Sequence, residues 1–97
     1  MKLYEKLYIF MYYVYVLFSR KDNGSYIRYT KDLKRRFTEH NNGYSVSTKD
    51  RAPFLLIYYE PFINNSDALS RDKYLKSGYS RKQLSMILQR TFRKLDI

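Results

Sequence analysis

Ninety-seven residues set the size of one domain with a single small core. Nineteen Lys and Arg against nine Asp and Glu leave a formal net charge of +10, which favours a polyanionic partner through counterion release from phosphates. The absence of cysteine excludes disulfides and thiolate metal sites and agrees with a reducing, cytoplasmic setting, and one histidine cannot build a zinc cluster.

The apolar run Leu7–Phe18 is too short for a spanning helix and is rich in tyrosine and β-branched residues, so it reads as strand rather than membrane segment or leader. Met11 directly precedes the patterned part, which sets residues 1–10 apart as an N-terminal extension to one domain over residues 11–97. Tyr12–Phe18 is the first strand. Lys21-Asp22-Asn23-Gly24 is a turn with Gly24 available for positive φ, and Ser25–Thr30 returns antiparallel. Thr30 is the expected N-cap of a helix over Lys31–Asn41, closed by Asn42-Gly43, with Leu33 and Phe37 facing the core.

Tyr44–Pro53 is polar and serine-rich, a loop. Phe54–Tyr59 is an apolar run closed by Pro61, the expected buried third strand. Asn64-Asn65-Ser66 caps a helix reaching Ser77, and Gly78 ends it. Ser80-x-x-Gln83 has the form of a capping box for a last helix on which Leu84, Ile87, Leu88, Thr91 and Leu95 share a face. The order ββαβαα describes an α+β domain, a small three-stranded antiparallel sheet flanked by helices.

Strand alternation puts Tyr13 and Tyr15 on one face, and Tyr26, Arg28 and Thr30 together on the neighbouring strand. Any one of twelve tyrosines is more often core than catalytic. Arg36 and His40, four apart, flank the Leu33/Phe37 stripe and so point at the sheet edge beside those tyrosines. Asp72 sits among Ala68, Leu69 and Leu75 on the face that must pack. A carboxylate there needs a cation, a hydrogen-bond network or a metal, and a buried ion pair is the plain alternative to a ligand.

Together these segments resemble the GIY-YIG nuclease superfamily, in particular its small standalone bacterial branch related to the nuclease domain of the excision-repair endonuclease. Tyr13-Val14-Tyr15 stands where that family has GIY, and Tyr26-Ile27-Arg28 where it has YIG. The run from Tyr29 to Asn41 resembles the following helix, with its arginine at Arg36 and its Tyr/His position at His40. Asp67–Gly78 resembles the later helix, with Asp72 at its metal-binding glutamate.

The resemblance implies a metal-dependent DNA endonuclease acting in repair or processing of double-stranded or branched DNA. It implies one divalent cation, Mg²⁺ or Mn²⁺, on Asp72, with Tyr15 and Tyr26 on the side of the attacking water. Arg36 then clamps the phosphate, and His40 positions or moves a proton. Arg28, Lys31, Lys34, Arg35, Lys73 and Lys76 are the expected nucleic-acid contacts. Both tyrosines are expected to open onto a shared cleft, whereas Tyr58 packs with the sheet. Two departures, Arg28 for glycine and Asp72 for glutamate, keep open the alternative of a nucleic-acid-binding protein with impaired cleavage.

Overall fold

The computed structural model describes Lys2 and residues 11–96, so all of the expected extension over residues 1–10 except Lys2 lies outside the described residues. Strand β1 (Tyr12–Ser19) lies at the centre of the sheet, between β2 (Ser25–Thr30) and β3 (Phe54–Phe62), in the order β2-β1-β3. Both neighbours are antiparallel. Helix α1 (Leu33–Asn41) follows the hairpin, and α2 (Asn65–Leu75), α3 (Gly78–Ile87) and α4 (Gln89–Leu95) follow β3. The α+β class and the ββαβαα order are as expected, with the last helix divided in two.

The central position explains the apolar run: every residue from Val14 to Ser19 is buried, because side chains on both faces are covered. On one face Val14, Val16 and Ile27 meet Ala68, Leu75, Leu84 and Leu88. On the other, Tyr15, Leu17 and Phe54 meet Tyr26 and the α1 pair Leu33 and Phe37. The sheet therefore separates two small cores, and among the described helices α1 covers the tyrosine face.

Several boundaries differ from the sequence reading. In the hairpin turn Asn23, not Gly24, takes the left-handed conformation (φ 58°). A Cβ at Gly24 would instead lie 2.8 Å from the Arg51 guanidinium and 3.0 Å from the Asp22 carboxylate, the ends of two flexible side chains that would have to shift. The N-cap of α1 is Asp32, whose carboxylate accepts the Arg35 N–H at 3.1 Å; Thr30 Oγ1 instead accepts the Asp32 N–H. Among the described residues strand β3 lies at the sheet edge rather than being fully buried, and it runs through Pro61, which lacks an N–H and is tolerated on an edge strand.

Farther on, α3 begins at Gly78 with Ser77 as its cap, and Ser80 is buried inside the helix with its hydroxyl 2.5 Å from the Tyr74 carbonyl. The helical run breaks at Leu88, so Leu84 and Leu88 stay buried and Phe92 packs against Phe18, while Ile87 turns outward, 65% exposed. Leu69, expected in the apolar stripe of α2, is also exposed.

Asn41 locks the end of α1 to the start of β3. Its side chain accepts the Phe54 N–H at 2.6 Å and donates to the Phe54 carbonyl at 3.2 Å. Asn41→Ala leaves both groups of a buried residue without partners and is expected to cost about 1–3 kcal/mol, read from the midpoint of denaturant unfolding. A midpoint unchanged from wild type would show that water replaces the clamp freely.

Candidate active site

The antiparallel register sets Tyr15 opposite Arg28 and Leu17 opposite Tyr26, so the two tyrosines stand diagonally on the face that α1 covers. His40, on the last turn of α1, lies between them, 5.2 Å from the Tyr26 ring and 5.9 Å from the Tyr15 ring, centre to centre. Phe54 closes the fourth side at 6.0 Å. Tyr15 and His40 are fully buried.

The imidazole is held at both nitrogens. The Tyr15 hydroxyl is 2.8 Å from Nε2, and Thr48 Oγ1 is 2.6 Å from Nδ1. The Arg36 guanidinium beside the Tyr15 oxygen offers only donors. Assigned on that inventory, the Tyr15 hydroxyl donates to Nε2 and Nδ1–H donates to Thr48. Burial, helped by the Arg36 charge, drives the His40 pKa down to about 4, so the ring is neutral near pH 7. Burial pushes the Tyr15 phenol up to about 12, with the same guanidinium pulling weakly the other way.

Tyr26 differs from Tyr15 in its surroundings. It is half-buried, its hydroxyl makes only a long exposed interaction with Ser47 Oγ at 3.4 Å, and it lines a cleft of about 350 Å³ together with Arg28, Arg51, Lys76 and Arg81. The expectation that both hydroxyls open to a shared cleft therefore fails for Tyr15. The alternation of a strand assigned it the correct face, but α1 and Thr48 seal that position. Tyr58 packs against the opposite core as expected, with its hydroxyl on Glu60.

Arg36 is half-buried and pairs with Glu39 at 2.9 Å. Asp72 lies on α2, across the sheet from His40, and meets the cleft through its partner: Lys76 Nζ is 3.0 Å from Oδ2, and Lys76 lines the cleft. The expected ion pair is present but not buried, since Lys76 is exposed and Asp72 is half-buried. Oδ2 is paired, whereas Oδ1 is buried with no hydrogen-bond partner. Among the described residues no group of three or more His, Cys, Asp or Glu surrounds a common point, so Asp72 is a lone carboxylate. Its unpaired oxygen is a hard donor of the type that Mg²⁺ and Mn²⁺ take alongside waters and substrate phosphate.

Of the expected nucleic-acid contacts, Arg28, Lys31, Lys34, Arg35, Lys73 and Lys76 are all exposed. Arg28 and Lys76 meet at the cleft, while Lys31 and Lys34 border a separate groove of about 620 Å³ beside Tyr13 and Tyr59. Sequence reasoning missed Thr48, Arg51 and Arg81. No spacing marks them, because folding alone brings the Thr48 loop to His40 on α1, and Arg51 and Arg81 to β2.

The model of the GIY-YIG catalytic domain matches residues 11–85. The chain belongs to the GIY-YIG family. Its relatives include a UPF0213 protein of Staphylococcus saprophyticus, 38% identical over 77 residues, which span 78% of this chain and 93% of the relative. A UPF0213 protein of Clostridium perfringens is 35% identical over 85 residues, 87% of this chain and 90% of that one. The solution NMR structure of a UPF0213 protein from Bacillus halodurans superposes with a TM-score of 0.52 at 30% identity, covering 79% of this chain and 84% of the other. The chain is thus a GIY-YIG family member of the nuclease kind. No helix among the described residues is long and apolar enough to cross a membrane.

Proposed function

We propose that this protein is a metal-assisted endonuclease that hydrolyses phosphodiester bonds of double-stranded or branched DNA, in repair or processing within the cytoplasm. The observation that carries the reading is the orphaned Asp72 Oδ1, buried beside a cationic cleft into which Tyr26 opens. We take residues 11–97 as the catalytic unit and residues 1–10 as an extension to it.

In this reading Tyr26 Oη holds the attacking water by hydrogen bond, because it is the tyrosine hydroxyl that solvent reaches. The Tyr15–His40–Thr48 chain fixes the neutral imidazole against the Tyr26 ring and so sets the position of that hydroxyl. Arg36 offsets charge on the phosphorane, at the expense of its pairing with Glu39. Asp72 would hold a divalent cation, Mg²⁺ or Mn²⁺, which supplies Lewis-acid stabilisation of the leaving oxygen.

The second reading, a nucleic-acid-binding protein with impaired cleavage, is favoured by Lys76 on Asp72 Oδ2 and by Arg28 in the cleft. Plasmid and branched DNA incubated with Mg²⁺, Mn²⁺ or EDTA separates the two. Metal-dependent cleavage is expected from the wild type, and Asp72→Asn is expected to eliminate it while preserving DNA binding. Asp72→Glu should raise cleavage, since the longer arm regains the reach of a glutamate. Cleavage that survives Asp72→Asn would place the metal elsewhere. Binding without cleavage in both the wild type and Asp72→Glu would establish the second reading.

A further inference from the structure

Four cations from four separate elements converge on the cleft beside Tyr26: Arg28 from β2, Arg51 from the short 3₁₀ turn Lys49–Arg51, Lys76 from the end of α2 and Arg81 from the first turn of α3. No acidic side chain lines the cleft. Two of the four are already matched, Arg51 with Asp22 at 2.6 Å and Lys76 with Asp72 at 3.0 Å. Arg28 and Arg81 form no ion pair among the described residues, although like charges converging on one recess repel. A basic face meant only for solvation would spread such side chains apart. Two unpaired guanidiniums bordering one recess instead offer planar forks matched to the geometry of a phosphate.

We propose that this cleft is a phosphate-binding slot that grips the DNA backbone next to the cleaved bond, with Arg28 and Arg81 as its two principal donors. The inference rests on the proposed endonuclease reading and assigns it a strand path: from the phosphate at Tyr26, past Arg28, towards the start of α3. It also gives Arg28 a purpose at a position where the family has glycine. The guanidinium does not block the cleft; it supplies one wall of it. The Asp22–Arg51 pair, tied to the hairpin turn beside Gly24, fixes the floor without using up either free arginine.

The test is DNA affinity as a function of salt, measured in EDTA on a short labelled duplex so that cleavage does not enter. Arg28→Gln and Arg81→Gln should each lower the magnitude of the slope of log K against log[salt] by about one, and the double variant by about two. Arg28→Lys should keep the slope and lose affinity, because the charge remains while the fork is lost. Lys94→Gln, an exposed substitution on α4, should leave the slope as it is. Both arginines are exposed, and thermal unfolding of each variant confirms that the fold persists.

Slopes unchanged in both glutamine variants would overturn the slot. So would a loss in Lys94→Gln equal to that in Arg28→Gln, which would mark a diffuse basic surface. The endonuclease reading fails separately, through absence of metal-dependent cleavage in a protein whose slot variants still change the slope.

Discussion

Tyr26→Phe is expected to lower cleavage by about two to four orders of magnitude, the range for losing one positioned proton-handling group, while leaving unfolding within about 0.5 kcal/mol of wild type. The hydroxyl it removes makes only one long, exposed interaction, with Ser47 at 3.4 Å, so the folded state loses almost nothing. The ring remains and still packs edge-on against His40. Tyr15→Phe should behave differently. Its hydroxyl is buried on His40 Nε2, and removing it leaves a buried acceptor without its donor, at a cost of about 1–3 kcal/mol of stability.

Cleavage in Tyr15→Phe should fall as well, but through displacement of His40 and Tyr26 rather than through loss of a group that meets the water. Duplex cleavage under single-turnover conditions, paired with denaturant unfolding of both variants, separates the two roles. Should Tyr26→Phe retain full cleavage while Tyr15→Phe loses it without destabilisation, the roles given to the two tyrosines are reversed.

Acid should destabilise this protein through His40 before most of its carboxylates titrate. The imidazole has a pKa of about 4 in the folded state because of burial and the Arg36 charge, against about 6.5 in an unfolded chain. Between those two values the unfolded state binds the extra proton, so stability rises with pH across the window and is lost as pH falls from about 6.5 towards 4. The full effect is on the order of 3 kcal/mol.

His40→Gln removes the titrating group and keeps an acceptor for the Tyr15 hydroxyl and a donor for Thr48, so its stability should be nearly flat over the same window. Unfolding midpoints of the two proteins at neutral pH and near pH 4.5 check this, since carboxylate contributions are common to both and cancel in the difference. Equal pH slopes in wild type and variant would mean that the buried ring reaches solvent and protonates without penalty. Thr48 tests the same network from the other side: Thr48→Val should flatten the pH dependence, because an imidazole freed to tilt towards water protonates at a pH nearer its unfolded value of about 6.5 and less stability is lost in acid.

Local patterns in the chain already determined much of this arrangement. The turn residues between two tyrosine-rich runs specified the hairpin, the i,i+4 pair Leu33 and Phe37 specified which side of α1 packs, and Asn64 specified where α2 begins. Residue types at those positions also brought Tyr15, Tyr26, Arg36, His40 and Asp72 into view, because alternation and helical spacing assign a side chain to a face. Spacing does not say what covers that face. Only packing decided that Tyr15 is sealed under α1 while Tyr26 stays open, and that an apolar run ending in proline lies on the sheet edge.

The break at Leu88 is likewise not marked in the sequence, since Leu84, Leu88 and Phe92 at i, i+4, i+8 share a face in one continuous helix as well. Thr48 and Arg51 joined the site through closure of a loop, where a polar residue has no periodicity from which its partner can be read, and Arg81 through the placement of α3 beside β2. What the linear order held was the chemistry available on each element; the distances of 2.8 Å and 2.6 Å about His40 depend on where three elements meet.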